Sequence, residues 1–239
     1  MLSIVQNFIC TKSERLDVVH RNTVKLGKTF PKSDFFINYN SDINFESIKK
    51  SYLENIPKIN LYNDLTKDWA LVTLALMKEV QTPYVMYICE DMEVNCSDEE
   101  MWDTLNEFMN DDYDLCFLSK IGKYLDEQFI NGYTPYNDIP SPGYKPLKCG
   151  YFYLGKHAPH KRVPVDAIFK TEWMIKRLEE FLEHGENCTH DIPHRKKHLP
   201  NFWEGYYDFG NGMKRFSNMK CYIPDEVIFK EFNDVKDKA

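Results

Sequence analysis

Short apolar runs alternate with amphipathic stretches along the first half of the chain. The runs are rich in β-branched and aromatic residues, which indicates buried strands, and the stretches between them repeat apolar residues at helical spacing. The pattern predicts strands over residues 2–10, 34–40, 58–62, 84–89 and 114–119, and helices over 14–26 (ended by Gly27), 45–53, 67–80 and 98–110. This alternation favours an α/β fold, a doubly wound, mainly parallel sheet flanked by helices.

The pattern weakens in the last third of the chain. Residues 122–164 are dense in Tyr, Gly and Pro, which is typical of loops. Beyond them the sequence predicts a strand over 163–169, a helix over 172–184, a hairpin over 206–222 and a short helix over 225–232. We therefore expect a single domain, 1–239, with a divergent, loop-rich C-terminal third.

One predicted strand ends in a group of carboxylates. Residues 84–89 are apolar throughout, as in a central strand buried on both faces, and Glu90, Asp91 and Glu93 follow at once. Ligands of open α/β sheets gather at the carboxyl ends of the strands, and a divalent cation would offset the repulsion between these acids. The pattern predicts a metal or catalytic site, with a solvated acidic turn as the alternative.

Composition narrows the class of protein. The net charge of -7 and the pI near 5.5 argue against a nucleic-acid-binding surface. No apolar run approaches the roughly 20 residues that span a bilayer, and the N-terminus lacks the pattern of a signal peptide, so we expect a soluble, cytoplasmic protein. The seven cysteines never form a C-x-x-C pair and are predicted to be reduced thiols. Dinucleotide-binding and P-loop glycine motifs are absent from the sequence.

In its order of elements the N-terminal half resembles a GT-A glycosyltransferase, closest to the inverting family 2-like enzymes. The resemblance covers roughly residues 2–120, and more loosely 160–200. It lies in a first strand followed by a loop with Thr11 and Arg15, a long apolar helix, and a strand ending in the motif EDMEV. Such enzymes use an Asp-x-Asp motif to hold Mg²⁺ or Mn²⁺ on the diphosphate of a nucleotide-sugar. Here Asp91-Met92-Glu93 occupies that place, with Glu instead of the second Asp.

The resemblance implies a nucleotide-sugar-binding half, 1–120, and an acceptor-binding half, 121–239. It implies a UDP- or GDP-sugar donor and a glycan or glycolipid acceptor, as in polysaccharide biosynthesis. The residues it implies for the nucleotide are Thr11, Arg15, Asn38, Asn40, Asp42, Asp64, Lys67, Glu90 and Asp91. The residues it implies for Mn²⁺ or Mg²⁺ are Asp91 and Glu93, with His190 or His194 as a third ligand.

The resemblance also implies a carboxylate base that deprotonates the acceptor hydroxyl. In related enzymes this base stands near the start of a C-terminal helix, often in an acidic pair shortly before an Arg. The nearest match is Asp191, shortly before Arg195, and Asp166 and Glu204 are the alternatives.

The histidine-rich segment allows other interpretations. A structural zinc site could use Cys188, His190, His194 and His198, although their spacing is not a standard zinc pattern. The basic run at residues 195–197 is most often a solvated face, but it could contact the diphosphate or the inner face of an anionic membrane.

Two other functions stay open. A sugar-1-phosphate nucleotidyltransferase has a similar sheet, but it needs a Gly-rich basic loop after the first strand, and residues 8–15 contain no Gly. A non-catalytic carbohydrate- or nucleotide-binding module could use the aromatic loop at residues 124–153, but it would not need the acidic strand end.

Overall fold

A computed structural model of the protein describes residues 2–8, 16–39, 45–64, 68–88, 92–94, 96–110, 113–118, 144–146, 151–154, 167–184, 206–209, 212–215, 219–222 and 229–231. Its strands are β1 (Leu2–Phe8), β2 (Asp34–Tyr39), β3 (Ile59–Tyr62), β4 (Tyr84–Tyr87), β5 (Met92–Val94), β6 (Leu115–Phe117), β7 (Tyr144–Pro146), β8 (Tyr151–Leu154), β9 (Ala167–Lys170), β10 (Tyr206–Phe209), β11 (Gly212–Arg215), β12 (Met219–Tyr222) and β13 (Phe229–Glu231). Its helices are α1 (Leu16–Thr29), α2 (Phe45–Asn55), α3 (Trp69–Glu79), α4 (Asp98–Asn110) and α5 (Thr171–His184).

Within the described ranges, the main sheet has nine strands in the order β3-β2-β1-β4-β9-β6-β12-β8-β7. Strands β1 to β4 are parallel to one another, as the βα alternation predicts. Beyond β4 the sheet is mixed, because β9 runs antiparallel between β4 and β6, and β8 runs antiparallel to both β12 and β7. The α/β fold is confirmed, with parallel pairing among β1 to β4 and again between β6 and β12.

Helices cover both faces of the sheet. Alternate residues of a strand point to opposite faces, so Val5 and Val85 pack under α3 and α5, while Ile4 and Met86 pack under α1, α2 and α4. Both faces are apolar, which explains why residues 84–88 are apolar without alternation. Within the described ranges, no helix is both long and apolar enough to cross a membrane.

Most predicted elements are confirmed to within a few residues. In the last third of the chain, the stretch 122–164, predicted as loop, contains β7 and β8, and two predicted elements are wrong in part. The predicted hairpin at 206–222 forms only as β10 and β11, because β12 leaves it and joins the main sheet beside β6. In the segment 225–232, predicted as a closing helix, residues 229–231 form the strand β13, which pairs with β5. In both segments the chain pairs with a strand that is distant in sequence, and short-range sequence patterns do not reveal such pairing.

Helix α4 begins with a reciprocal cap. The Ser97 hydroxyl accepts a hydrogen bond from the Glu100 backbone N–H at 3.2 Å, and the Glu100 carboxylate accepts one from the Ser97 backbone N–H at 2.7 Å. These bonds favour the ionised carboxylate and hold the pKa of Glu100 below its usual value. Beside this turn, burial and then the nearby Glu100 raise the pKa of Cys96 to about 11, so its thiol stays protonated at neutral pH.

Gly27 does not end α1, contrary to the prediction. A Cβ atom at this position would lie 1.9 Å from the backbone oxygen of Asn55, at the end of α2. The glycine therefore permits a close approach between two helices, and α1 continues to Thr29.

We predict that Gly27→Ala lowers the free energy of unfolding by about 1–3 kcal/mol, the usual cost of overpacking. This would occur although Ala favours a helix over Gly by about 1 kcal/mol. Urea denaturation measures the effect. Lys28→Ala, at the exposed neighbouring position, is the control and should cost less than about 1 kcal/mol through the helix dipole. A Gly27→Ala protein as stable as the wild type would contradict the close approach.

Candidate functional site

Several parallel strands end at one edge of the sheet. The registers align Asn7 with Asn38 and Asn38 with Tyr62, while β4 continues beside Val5 to Tyr87. Strand β9 begins at the same edge, because Ala167 lies opposite both Tyr87 and Phe117. The loops that leave or enter the sheet here are the ones in which the sequence predicts the nucleotide site.

Few of the predicted site residues lie in the part of the chain that the structure describes. Asn38 and Asp64 do, and Glu93 is described through its backbone in β5. The predicted residues outside the described ranges are Thr11, Arg15, Asn40, Asp42, Lys67, Glu90, Asp91, Asp166, His190, Asp191, His194 and Glu204.

A buried amide pair joins the ends of β1 and β2. The Asn38 Nδ2 donates a hydrogen bond to the Asn7 Oδ1 at 3.1 Å, and both residues are nearly inaccessible to solvent. Asn7 in turn donates from Nδ2 to the Thr73 hydroxyl at 2.9 Å and to the Trp69 carbonyl oxygen at 3.2 Å. The pair therefore fixes the first turns of α3 against the two strands.

Asn38 also holds the loop after β3. Its Oδ1 accepts a hydrogen bond from the Asp64 backbone N–H at 2.8 Å, and its Nδ2 donates to the Asp64 carbonyl oxygen at 3.1 Å. Sequence reasoning assigned Asn38 to direct contact with the nucleotide. Since its side-chain amide is engaged within the chain and the residue is 0% exposed, we assign it to positioning the Asp64 loop instead.

An aromatic pair extends this network to β4. The Tyr87 hydroxyl donates to the Asn7 carbonyl oxygen at 3.0 Å and accepts from the Trp69 Nε1 at 2.9 Å. The two rings also meet edge to face, with centroids 5.9 Å apart. Sequence reasoning missed Asn7, Thr73 and Tyr87, although an Asn near the end of an apolar strand is a signal, because a buried amide requires partners.

Tyr62, at the end of β3, is held as a neutral donor. Its hydroxyl donates to the Glu79 carboxylate at 2.6 Å. Burial, and then the hydrogen bond and charge of Glu79, raise the pKa of Tyr62 to about 12. The phenol therefore stays protonated at neutral pH.

The acidic motif is bracketed by two buried residues. Ile88 donates its backbone N–H to the Val5 carbonyl oxygen at 3.3 Å and is 1% exposed, and Met92 is 6% exposed in the same core cluster. Only residues 89–91 separate them, and these include Glu90 and Asp91. Beyond Asp91 the chain forms β5, in which Glu93 lies directly opposite Lys230 of β13.

Among the described residues, no group of three or more His, Cys, Asp and Glu side chains is placed to hold a metal ion. The proposed ligands Asp91, His190 and His194 lie outside those ranges. Their donor atoms, carboxylate oxygen and imidazole nitrogen, are ones that divalent cations accept.

We predict that Asn38→Asp destabilises the fold by about 1–3 kcal/mol at neutral pH, because it removes the Nδ2 donor at a fully buried position. Burial raises the pKa of the introduced carboxyl above its unfolded value of about 3.9, so the loss should shrink as the pH falls towards that value. Urea denaturation across this pH range measures both effects. Asn60→Asp, at an exposed position of β3, is the matched control, and equal losses in the two variants would refute the role of the network.

No protein family matches the sequence, and no curated protein matches it either. Solved structures do match. Residues 1–349 of S. aureus TarS give a TM-score of 0.54 at 11% identity, over 95% of this chain and 59% of that chain. The same fragment in complex with UDP-GlcNAc gives 0.51 at 10% identity, over 100% and 60%. The 4-diphosphocytidyl-2C-methyl-D-erythritol synthase of Anaerococcus prevotii gives 0.52 at 13% identity, over 99% and 92%.

The chain thus spans about three fifths of the TarS fragment and nearly all of the synthase. At these identities the likeness concerns the fold, and the residues of the site do not follow from it. Together with the sheet order, it shows that the chain has a GT-A-like α/β fold.

Proposed function

We propose that the protein is a metal-dependent glycosyltransferase that transfers a sugar from a nucleotide-diphosphate sugar to a glycan or glycolipid acceptor. The observation that carries the proposal is the common edge where β1, β2, β3 and β4 end, braced by the Asn7–Asn38 pair. The loops that follow these strands carry the polar residues that such a donor requires. Because TarS is a structural neighbour found with UDP-GlcNAc, a UDP-sugar is the first donor to test.

The donor would lie across these loops. The loops after β1 and β2 would bind the nucleobase and ribose of the donor, through Thr11, Arg15, Asn40 and Asp42. The loop after β3, with Asp64 and Lys67, would make the third contact. Its backbone is held at Asp64 by Asn38, which gives this contact a rigid support.

The diphosphate would meet the acidic motif. Asp91 and Glu93, with His190 or His194, would hold Mn²⁺ or Mg²⁺, and Glu90 would lie next to them. The cation would neutralise the charge that develops on the departing nucleoside diphosphate. Ile88 and Met92, the nearest described residues on either side of Asp91, are both buried.

A carboxylate would remove the proton of the acceptor hydroxyl while the acceptor oxygen bonds to the sugar and the bond to the diphosphate breaks. Inversion at the sugar follows if this attack comes from the side opposite the leaving group. We assign the base to Asp191. Asp166 is an alternative with structural support, since the next residue, Ala167, lies opposite Tyr87 at the site edge. Glu204 is the other alternative.

A nucleotidyltransferase is the second candidate. The observation in its favour is the length of the chain, which covers 92% of the synthase but only 59% of the TarS fragment. Against it, residues 9–15 after β1 contain no Gly. Incubation with a nucleoside triphosphate and a panel of sugar phosphates separates the two functions, since only a nucleotidyltransferase releases pyrophosphate.

We predict that UDP, GDP or CDP raises the melting temperature further when Mn²⁺ is present than when it is absent. A ligand at 100 times its Kd adds about 2.7 kcal/mol, which corresponds to about 5–10 °C for a chain of this size. Differential scanning fluorimetry measures the shift. Asp91→Ala should abolish the Mn²⁺-dependent part, whereas Asp103→Ala, at an exposed position of α4, should keep it. A wild-type protein without a metal-dependent shift for any of these nucleotides would refute the donor site.

We predict that Asp191→Asn keeps Mn²⁺-dependent nucleotide binding but slows transfer by about 10²–10⁴-fold, the usual contribution of a general base. Release of UDP from UDP-GlcNAc in the presence of a panel of simple glycoside acceptors measures transfer. Asp166→Asn and Glu204→Gln are assayed in parallel. Normal turnover of Asp191→Asn would reassign the base to whichever of the two other variants is slow.

A further inference from the structure

Strand β5 is attached to α1 by a buried amide. The Asn22 side chain on α1 donates a hydrogen bond from Nδ2 to the carbonyl oxygen of Met92. Asn22 is 4% exposed and Met92 is 6% exposed, so water does not compete freely for this bond. Met92 follows Asp91 directly in the chain.

An Asn at position 22 lowers the stability of the fold unless its amide is hydrogen-bonded. An Asn within a helix has a lower helix propensity than Leu or Ala, and a buried amide loses its hydration. Val18, Val19 and Leu26, at other buried positions of α1, are aliphatic, and the buried Thr23 satisfies its hydroxyl within the helix. An amide at this position is compensated by the bond it makes to β5.

We propose that Asn22 is a positioning residue for the acidic motif. The inference rests on the proposed function, in which Asp91 holds a divalent cation on the donor diphosphate. A carboxylate holds a cation well only when its backbone is fixed in place, and partners behind a ligand often determine its orientation. Asn22 supplies such a support on the C-terminal side of Asp91.

The other attachments of this segment are consistent with that role. On the N-terminal side, Ile88 is fixed by the Val5 carbonyl oxygen. On the C-terminal side, β5 pairs with β13 through Met92, Glu93 and Val94. The ladder fixes the direction of β5, and the Asn22 bond fixes it against the helix layer. Without that bond, the buried Met92 carbonyl would lose its donor on α1, and β5 would be free to shift relative to the helix.

The alternative is a purely structural role, in which Asn22 only adds stability. A matched control separates the two roles. Thr23 is the next residue on α1, is 1% exposed, and donates from its hydroxyl to the Val19 carbonyl oxygen at 2.7 Å. Thr23→Val removes one buried hydrogen bond from the same helix and leaves the bond between Asn22 and Met92 of β5 in place.

The experiment measures Mn²⁺ binding by electron paramagnetic resonance in the presence of UDP, and UDP binding without metal by calorimetry. We expect Asn22→Leu to weaken Mn²⁺ binding by about 10–100-fold, the range for lost partners behind a metal ligand. UDP affinity without metal should stay unchanged, and Thr23→Val should match the wild type in both assays. Hydrogen exchange should become faster in a peptide covering residues 88–95 of Asn22→Leu, and not in that of Thr23→Val.

Asn22→Asp is the second variant, should Asn22→Leu fail to fold. It has nearly the same shape but lacks the donor, and the same loss of Mn²⁺ affinity is expected. If the wild type binds Mn²⁺ with UDP and the Asn22 variants bind it equally well, the positioning role is wrong while the proposed function stands. If the wild type itself shows no Mn²⁺ binding with UDP, the proposed function fails and this inference fails with it.

Discussion

The hydrogen bond between the side chains of Asn7 and Asn38 is the constraint on which the site edge depends. Two amides buried near the ends of parallel strands must satisfy all their polar atoms, since an unpaired one costs about 1–3 kcal/mol. That is a large part of a typical net stability of about 5–15 kcal/mol. The atoms are satisfied only if β1 and β2 keep their register, α3 starts beside them, and the chain returns at Asp64. One pair thereby positions two strands, a helix and a loop.

This arrangement separates a floor of buried, hydrogen-bonded groups from the loops that follow the strands. The floor consists of buried groups that bond to one another, including Tyr87, which reaches Asn7 from β4. The polar residues expected to meet a ligand come from the loops above the floor, where substitutions cost little folding energy. The chain shares its fold with TarS at 11% identity, and a shared fold does not define a donor or an acceptor.

Sequence patterns predicted the elements whose periodicity is decided locally. Helix α4 was predicted with its observed bounds from its regular apolar face, and the structure adds the Ser97 cap at its start. Sequence patterns failed where a contact between residues distant in sequence determines the local structure. Gly27 ends a helix by local rules but here allows α2 to approach, and β13 exists because β5 offers it a ladder. Leu71 is apolar but 52% exposed, because α3 turns that side away from the sheet. The strand ends of the site were predictable, and the role of Asn38 was not, because its partners Asn7 and Asp64 are remote in sequence.

The two halves of the chain interleave around the acidic motif. Strand β9, from the second half, lies between β4 and β6 of the first half, and β13 pairs with β5 directly after Asp91. Each side of the motif therefore borders a strand that the second half supplies. In the proposed reaction, the base comes from the second half and the metal ligands come mainly from the first. Since the strands of both halves share one sheet, the ladder between β4 and β9 fixes the position of Ala167, the residue after Asp166, opposite Tyr87 at the site edge.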